Sequence, residues 1–520
     1  MKNTTLNSLS DKKFALWSAL AYVIVVSILS CFHEVWRDEI IPLSIAIDSH
    51  SPADLFAKII NYGHSGLWYY LLYFGYALLH TTVILKILNI LICTLAVYLF
   101  MMKAPFARLQ KLLFMGGVLP LYVYPIVNRD YGLSMLFIFL FCVFYDKRFT
   151  HFVTLGVILF LLANVVAYST VMVLAILGAL SLEFVFSAES RRQWMKRPWD
   201  TAIGFGLIVG GIAFSVITLT PDYTMIVVRP PVTFSTAVVS AIKAVVMPER
   251  AYPTLFGFES GVFMKLMTWT FVIYLWRRNI NMFLIVAGSL FGLAMLFHLV
   301  WPTTALRHQG AFYLLFIIAM WLDNIPRPGG DRPFAFKPLE ALRQLVSRHK
   351  NSAFTFILFL QVCAAYPEIK RDLREDYSAS RKLGEFLKND PALKDAVVVP
   401  EPDTFGEAFS YYADNPVFFP REDQYRKYAR FTNESRQWYT LDELLATAQN
   451  IKAQTGKPVV FVMGHDLSPK GPFLIQFSGM THKVFTYTPE SLRAFNSQTV
   501  KAASFHPAIT DEEFDVYVFK

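Results

Sequence analysis

The sequence predicts an α-helical polytopic membrane protein with about 11 transmembrane helices and a C-terminal soluble α/β domain. Hydrophobic residues fill 55% of the 520 positions and charged residues only 17%, a balance typical of membrane proteins. The 47 Phe, 25 Tyr and 10 Trp residues suit lipid-facing helices with aromatic belts at the membrane interfaces. This composition excludes a chain of soluble domains, a disordered or collagen-like chain and a disulfide-dense domain.

Apolar runs predict the transmembrane helices, because a helix needs about 20 apolar residues to cross a bilayer. The runs occupy residues 14–32, 82–102, 112–127, 131–145, 152–164, 168–186, 201–220, 261–276, 282–301, 311–322 and 353–366. The first run follows Lys12 and Lys13 and has no small-residue cleavage site behind it. We therefore expect a retained first helix and no signal peptide.

Basic residues predict the orientation of these helices. Lys and Arg gather in every second loop, at residues 2–13, 103–111, 147–148, 191–197, 277–278 and 327–350. This positive-inside pattern predicts a cytoplasmic N-terminus in the plasma (inner) membrane, with the C-terminal residues in the periplasm. It also accounts for the net charge of +9 without a nucleic-acid partner.

Residues 367–520 are the predicted extracytoplasmic domain, and residues 1–366 are the predicted membrane domain. Segments 396–399, 417–419, 459–462 and 516–519 predict strands, and 379–387 and 441–453 predict helices. No P-loop, GxGxxG, HExxH or GxSxG motif occurs in this tail. The four cysteines lie in or beside apolar runs without metal-ligand spacing, and we interpret them as packing residues.

Polar residues gather in the loops that this topology places outside. The loop at 33–81 opens with HEVWRDE, and YGHSGLWYY follows at 62–70. NRDY at 128–131 joins the third run to the fourth, and TTALRHQ at 303–309 joins the ninth to the tenth. Each cluster alone also suits a helix cap, an interfacial ion pair or a turn. Because all four open toward one side, we expect them to meet at headgroup depth.

Two short amphipathic helices are predicted in the first outer loop, and one amphipathic segment in the loop at 221–258. In the first loop Ser51 and Pro52 signal a helix start, and the apolar stripe that follows is expected to lie along the membrane surface. The loop at 221–258 contains an amphipathic segment at 235–247. We interpret it as a surface helix that packs on the bundle, and a lid over a bound donor is the alternative.

At the polar clusters the chain resembles the GT-C glycosyltransferases, multispanning enzymes that take sugars from polyprenyl-phosphate carriers. This family includes the protein O-mannosyltransferases and the lipid A aminoarabinose transferase. WRDE at 36–39 is similar to the Asp-Glu motif of the family after its first span. GHSGLWYY at 63–70 is similar to its H-P-P-L-Y-Y type run, and RDY at 129–131 to a motif that enters a later span. The resemblance covers residues 14–220 and implies an outer-face transferase.

The resemblance implies that an acceptor hydroxyl attacks the sugar of a polyprenyl-phosphate-linked donor, and the residue types suit this chemistry. Asp38 is the candidate base that takes the hydroxyl proton. Glu39 either orients Asp38 or contacts a sugar hydroxyl. Arg129 and Arg307 are candidates to bind the donor phosphate, since a guanidinium stabilises the negative charge that grows there.

The roles of the other candidates stay open. Asp130, also assigned to the catalytic group, either holds an arginine, contacts the acceptor or ligates a divalent cation. Further candidate substrate-binding residues are His64, Trp68, Tyr131 and His308. If a metal binds, its candidate ligands are Asp38, Asp130 and His64.

Two other classes of protein suit the same features. A secondary transporter or carrier of an envelope precursor also has many spans with scattered polar residues, although transporters place ionisable groups near mid-bilayer. A scaffold whose outer domain binds envelope partners needs no catalysis. In the preferred interpretation the partners are a polyprenyl-phosphate-linked sugar, an envelope acceptor (glycan, lipid or protein) and the lipid bilayer.

Overall fold

The computed structural model describes residues 2–60, 62, 64–220, 232–255, 261–300, 305–325, 333–430, 432, 434–476 and 483–520. The α-helices in this part of the chain are α1 (Lys2–Phe32), α2 (Arg37–Ile47), α3 (Pro52–Ile60), α4 (Leu67–Leu79), α5 (Ile84–Lys103), α6 (Arg108–Met115), α7 (Tyr124–Ile126), α8 (Tyr131–Tyr145), α9 (Phe152–Ala163), α10 (Ala167–Phe186), α11 (Ala188–Trp194), α12 (Pro198–Leu219), α13 (Phe234–Val246), α14 (Gly261–Arg278), α15 (Ile280–Leu299), α16 (Leu306–Asp323), α17 (Lys337–Asp372), α18 (Ser380–Asn389), α19 (Leu441–Thr455) and α20 (Pro489–Gln498). The strands are β1 (Val397–Glu401), β2 (Phe418–Phe419), β3 (Gln424–Tyr425), β4 (Trp438–Thr440), β5 (Val459–Met463), β6 (Leu474–Gln476), β7 (Val484–Thr486), β8 (Thr499–Phe505) and β9 (Phe514–Phe519).

Several long apolar helices indicate a membrane protein. Among the described residues six helices are long and apolar enough to cross a membrane: α1 from Ser10 onward, α5, α10, α12, α15 and α17. The segments Arg108–Met115 and Leu119–Ile126 form a pair bent by 52°, which is a seventh span if the two halves belong together. Gly117 and Pro120 lie at this break, and such residues are the usual cause of a sharp kink.

Each of the eleven predicted apolar runs overlaps a helix or, for residues 112–127, the bent pair, and residue 301 at the end of one run lies outside the described residues. Some of these helices are short for a membrane span. α8 and α9 have 15 and 12 residues, so at 1.5 Å per residue they are about 22 and 18 Å long, less than the roughly 30 Å hydrocarbon core. The prediction of several membrane helices is confirmed, and the number eleven stays a prediction.

Polar contacts join loops at both ends of the helical bundle. At one end Arg108 pairs with Asp11 at 3.0 Å, in the loop after α5 and the start of α1. At the other end Lys86, near the start of α5, donates a hydrogen bond to the carbonyl of His33 at 2.9 Å. α1 and α5 therefore run antiparallel, and the segment that follows α1 lies at the end opposite the loop at 103–111.

Glycines let two of the helices approach closely. α9 and α12 run side by side, and a Cβ atom built on Gly204 would lie 2.3 Å from the ring of Phe152. In the same contact a Cβ atom on Gly156 would lie 2.8 Å from the carbonyl oxygen of Gly204. Small residues at such contacts are typical of membrane helices, where close van der Waals packing stabilises helix association.

The C-terminal residues form an α/β domain, as predicted. Its main sheet has the strand order β1-β5-β9-β8, in which β1 and β5 are parallel and the other pairs are antiparallel. A smaller sheet has the order β4-β7-β6, and β2 pairs with β3. Alternate residues of β1 and β5 face two separate hydrophobic cores, which explains why both strands are almost continuously apolar.

The predicted strands and helices of this tail are all present, as β1, β2, β5, β9, α18 and α19. The elements that were not predicted are β3, β4, β6, β7, β8 and α20. β3 has only two residues. β4, β6 and β7 have three residues each, and β8 is mostly exposed without a regular alternation. Their hydrophobic patterns are therefore too weak to predict a strand.

The C-terminal domain packs against α2 and the segment before it. Arg37 pairs with Asp511 at 2.7 Å, and farther along the same face Tyr428 donates a hydrogen bond to Asp48 at 3.1 Å. α17 leads into this domain and continues as one helix past the predicted boundary at residue 367 to Asp372. The membrane helices and the C-terminal domain thus share a polar contact region around α2.

The predicted amphipathic segment at 235–247 corresponds to α13. Ser240 and Ala244 are buried on one face of this helix, whereas Phe234 and Ile242 are exposed. α13 packs against α15, as a surface helix would. Residues 221–231 and 256–260 of the same loop lie outside the described residues, so a lid stays a prediction.

Candidate functional site

Asp38 lies where the predicted polar clusters meet. It is in the first turn of α2, where the unpaired N–H groups of a helix favour a carboxylate. Its Oδ2 atom is 3.3 Å from Nη2 of Arg307, and its backbone carbonyl accepts a hydrogen bond from Nη1 of Arg129. Three segments that are far apart in sequence therefore meet at one residue. The Asp38 side chain is 36% exposed, so solvent and small molecules have access to it.

Arg307 also contacts an aromatic ring. Its guanidinium carbon lies 5.3 Å from the centroid of the Trp36 ring, a cation–π contact. Trp36 is largely buried, and Tyr377 of the C-terminal domain packs against it edge to face at 6.2 Å. The N–H groups of a guanidinium lie in the plane of the group. An arginine that packs over an aromatic ring can therefore still bind an oxyanion through them. Arg307 is thus positioned by a rigid support.

Asp130 is the second carboxylate of the site. It is the N-cap residue of α8 and follows Arg129 directly. Its Oδ1 atom is buried and has no hydrogen-bond partner in the described part of the chain. Burial raises the pKa of Asp130 to about 6, against the opposing effect of the Arg129 charge. A carboxyl group with this pKa exchanges a proton near neutral pH, which suits a general acid or base.

Aromatic rings surround these carboxylates. Tyr131 lies 6.2 Å from His308, with the two rings nearly perpendicular, and 6.4 Å from the parallel ring of Tyr168. Tyr69 interacts electrostatically with Asp38, Asp130 and Arg129. His64 stacks on Tyr69 at 6.4 Å. Tyr69 belongs to the GHSGLWYY motif but is not among the predicted site residues.

Glu39 has a different environment from Asp38, although the two are adjacent. The Glu39 side chain is fully buried. One of its carboxylate oxygens is 2.9 Å from Nε2 of His33, and the other accepts hydrogen bonds from Asn128, at 3.1 Å from the backbone N and 2.6 Å from Nδ2. Of the two roles expected for Glu39, this burial favours positioning over contact with a sugar.

Trp68 is a buried member of the expected substrate-binding set. Its side chain is only 1% exposed and belongs to a hydrophobic core with Val35, Ile40 and Leu72. Trp68 and Leu72 are four residues apart on α4 and therefore share the face of the helix that packs inward. The sequence alone could not show which of the adjacent aromatic residues 68–70 faces inward.

The described residues do not form a metal site. Among them, no group of three His, Cys, Asp or Glu side chains is placed to hold a metal ion. Asp38 faces the guanidinium of Arg307, and the imidazole of His64 stacks on a tyrosine. The candidate ligand set of Asp38, Asp130 and His64 therefore does not fit a divalent cation in this arrangement.

Residues outside the predicted set complete the site. His33 and Asn128 hold Glu39, and they lie inside the two predicted polar clusters. Asp372 and Tyr377 come from the end of α17 and the start of the C-terminal domain, and Asp372 is 339 positions away from its partner His33. No sequence pattern connects such distant residues, so only the fold could reveal them.

No protein-family model matches the chain, and no curated protein matches it significantly. The likeness to GT-C glycosyltransferases therefore rests on the short motifs and their order along the chain. The site contains the accessible carboxylate of Asp38, the carboxyl group of Asp130 with its raised pKa, and two arginines.

Proposed function

We propose that the protein is an integral-membrane glycosyltransferase of the GT-C type, which moves a sugar from a polyprenyl-phosphate carrier to an acceptor of the cell envelope. In this proposal the N-terminus is cytoplasmic, eleven helices enter or cross the inner membrane, and the C-terminal domain lies on the outer face. The resemblance at residues 36–39, 63–70 and 129–131 and the alternating basic loops support it.

The contact of Asp38 with Arg129 and Arg307 is the observation that carries the proposal. Glycosyl transfer from a lipid phosphate needs a proton acceptor for the attacking hydroxyl and cations for the leaving phosphate. Asp38 and Arg307 are partly exposed and 3.3 Å apart, which is long for a charged hydrogen bond. Such a pair contributes little stability, so a donor phosphate can compete for the guanidinium and leave Asp38 available to the acceptor.

The transfer step uses these groups as follows. The acceptor oxygen forms a bond to the anomeric carbon while the bond between that carbon and the phosphate oxygen breaks. The acceptor proton passes to the carboxylate of Asp38, and the electron pair of the broken bond stays on the phosphate. Arg129 and Arg307 bind the charge that grows on this oxygen, and they stabilise the transition state more than the ground state.

Asp130 is the alternative base. Its buried Oδ1 atom has no hydrogen-bond partner among the described residues, and its raised pKa strengthens it as a proton acceptor. In the preferred assignment Asp130 holds the neighbouring arginine and contacts the acceptor. Substitution of each carboxylate separately distinguishes the two assignments.

The test measures transfer of radiolabelled sugar from polyprenyl-phosphate donors in membranes that contain the wild-type chain or Asp38→Asn at equal expression. Loss of a general base is expected to lower the rate by about 10²- to 10⁴-fold. Asp11→Asn is the matched control, because Asp11 is an exposed aspartate that pairs with Arg108 at the opposite end of the bundle. The proposal is supported if donor-dependent labelling occurs in the wild type and in Asp11→Asn but is lost in Asp38→Asn.

The other outcomes are also decisive. Unchanged labelling in Asp38→Asn would remove Asp38 as the base, and Asp130→Asn is then the variant to measure. No labelling by the wild-type chain with any donor would contradict glycosyl transfer. Uptake of labelled substrate into proteoliposomes without a new glycosidic bond would instead support the transporter alternative.

A further inference from the structure

His33 lies at the junction of the membrane helices, α2 and the C-terminal domain. Its side chain is fully buried. Nε2 is 2.9 Å from a carboxylate oxygen of Glu39, and Nδ1 is 3.0 Å from a carboxylate oxygen of Asp372. A neutral imidazole donates through one nitrogen only, so hydrogen bonds to two carboxylates require the doubly protonated ring. The imidazolium therefore bridges two elements, the start of α2 and the end of α17.

The backbone of His33 is held as well. Its carbonyl oxygen accepts hydrogen bonds from Lys86 at 2.9 Å and from Arg381 at 3.0 Å. Lys86 belongs to α5 and Arg381 to α18 of the C-terminal domain. The ring of Tyr377 packs on the imidazole with centroids 4.4 Å apart and shields it from solvent.

Glu39 extends this connection to the second loop of the site. The oxygen that does not face His33 accepts both hydrogen bonds of Asn128, one from the backbone and one from the side chain. Asn128 directly precedes Arg129 and Asp130, and Glu39 directly follows Asp38. One buried carboxylate thus holds both segments that carry the functional side chains.

We propose that His33 is a positioning residue, which holds the segments of Asp38 and Asp130 at the end of α17, where the C-terminal domain begins. The hydrogen bonds of His33 to Glu39 and Asp372 are called the lock. The C-terminal domain is then part of the mechanism, because its first residues determine the geometry of the site. The inference rests on the proposed function only where it treats the locked groups as catalytic.

The charges of the surroundings favour this role. Burial by itself lowers the pKa of His33, but the carboxylates of Glu39 and Asp372 outweigh it and raise the pKa to about 9. The ring is therefore charged at neutral pH. Without the charged ring of His33, the carboxylates of Glu39 and Asp372 would be buried with no cation between them. Water would then enter the site, or the two carboxylates would move away from each other.

The test measures amide hydrogen exchange of the full chain in detergent, in residues 37–47 and 124–131. His33→Gln removes the positive charge, and the two N–H donors of its amide share one nitrogen, whereas His33 donates from two separate ring nitrogens. We expect exchange to rise by about tenfold or more in both segments, because both lose the same support. Asp372→Asn is a milder second variant that keeps the shape of the side chain, and the double variant is expected to add little to either single change.

His506→Gln is the matched control, since His506 is 44% exposed and pairs with Glu513 at 2.9 Å in the C-terminal domain. It should leave both segments unchanged. Exchange that rises in only one segment, or in neither, would overturn the lock.

Kinetics separate the lock from the proposed function. With an active wild-type chain, His33→Gln should lower kcat by about tenfold or more, with a smaller change in the donor KM, because misplaced groups affect the transition state more than binding. A wild-type chain without transferase activity would refute the function while the exchange data still decide the lock. Normal kcat together with normal exchange in His33→Gln would refute the lock alone.

Discussion

The charge of His33 makes a quantitative prediction about stability and pH. The pKa of His33 in the folded protein is about 9, whereas the ordinary value is 6.5. At 1.36 kcal/mol per pKa unit, the two carboxylates and the other surroundings of the ring stabilise the folded state by about 3 kcal/mol below pH 6.5. Because the pKa is raised on folding, this stability is lost as the pH rises through 9. Roughly 2.5 kcal/mol remains at pH 7 and almost none at pH 10.

The assay compares equilibrium unfolding of the full chain in detergent at pH 7 and pH 10, for the wild type, His33→Gln and His506→Gln. Other groups that titrate in this range are common to all three proteins, so their contributions cancel in the comparison. The wild type and His506→Gln should lose about 2.5 kcal/mol more than His33→Gln between the two pH values. Equal losses in the wild type and His33→Gln would refute the assignment of a charged, doubly bonded imidazole.

Two further predictions concern packing and the C-terminal domain. Arg421 is buried and pairs with Glu401 at 2.5 Å, so Arg421→Met should destabilise the C-terminal domain by about 3–5 kcal/mol in limited proteolysis of the full chain. Adding Glu401→Met should restore only part of this loss, because the backbone carbonyls of residues 436, 437 and 484 still lack the donor that Arg421 supplied. Gly204→Val should lower the midpoint of thermal unfolding, at a cost of about 1–3 kcal/mol, because its side chain would collide with Phe152. Gly206→Val on the same helix is the control, since no heavy atom lies within 4 Å of a Cβ atom built there, and an equal effect would contradict the packing argument.

The glycosyltransferase proposal has a physical logic that does not depend on the exact number of spans. A lipid-linked donor has its phosphate at the membrane interface, so the catalytic groups must lie at helix ends and not in the middle of the bundle. Asp38, Arg129 and Arg307 all lie beside helix starts. This arrangement differs from the mid-bilayer sites of secondary transporters.

Local patterns in the sequence were sufficient for the secondary structure of the membrane part and for much of the tail. An apolar run of about 20 residues is expected to form a helix in lipid, because a helix satisfies all its backbone groups within the segment. The buried strands β1 and β5 were equally clear, since nearly continuous valine runs suit a strand covered on both faces. The edge strand β8 was missed because its exposed residues carry no such pattern.

The meeting of the polar clusters followed from the topology inferred from sequence, but the roles within them did not. Asp38 and Glu39 are adjacent and chemically alike, yet one is accessible and the other is enclosed by His33 and Asn128. Successive residues at a helix start point in directions about 100° apart, so the packing of α2 decided which carboxylate faces outward. The burial of Trp68 depended on packing in the same way.

Composition, apolar runs and basic loops are properties of neighbouring residues, and they are sufficient for the class of protein, most of its helices and the α/β character of its tail. The lock around His33 joins residues 339 positions apart and depends on the C-terminal domain packing onto α2. Buried charges are stable only where partners from several elements converge, and that convergence exists only in the folded chain.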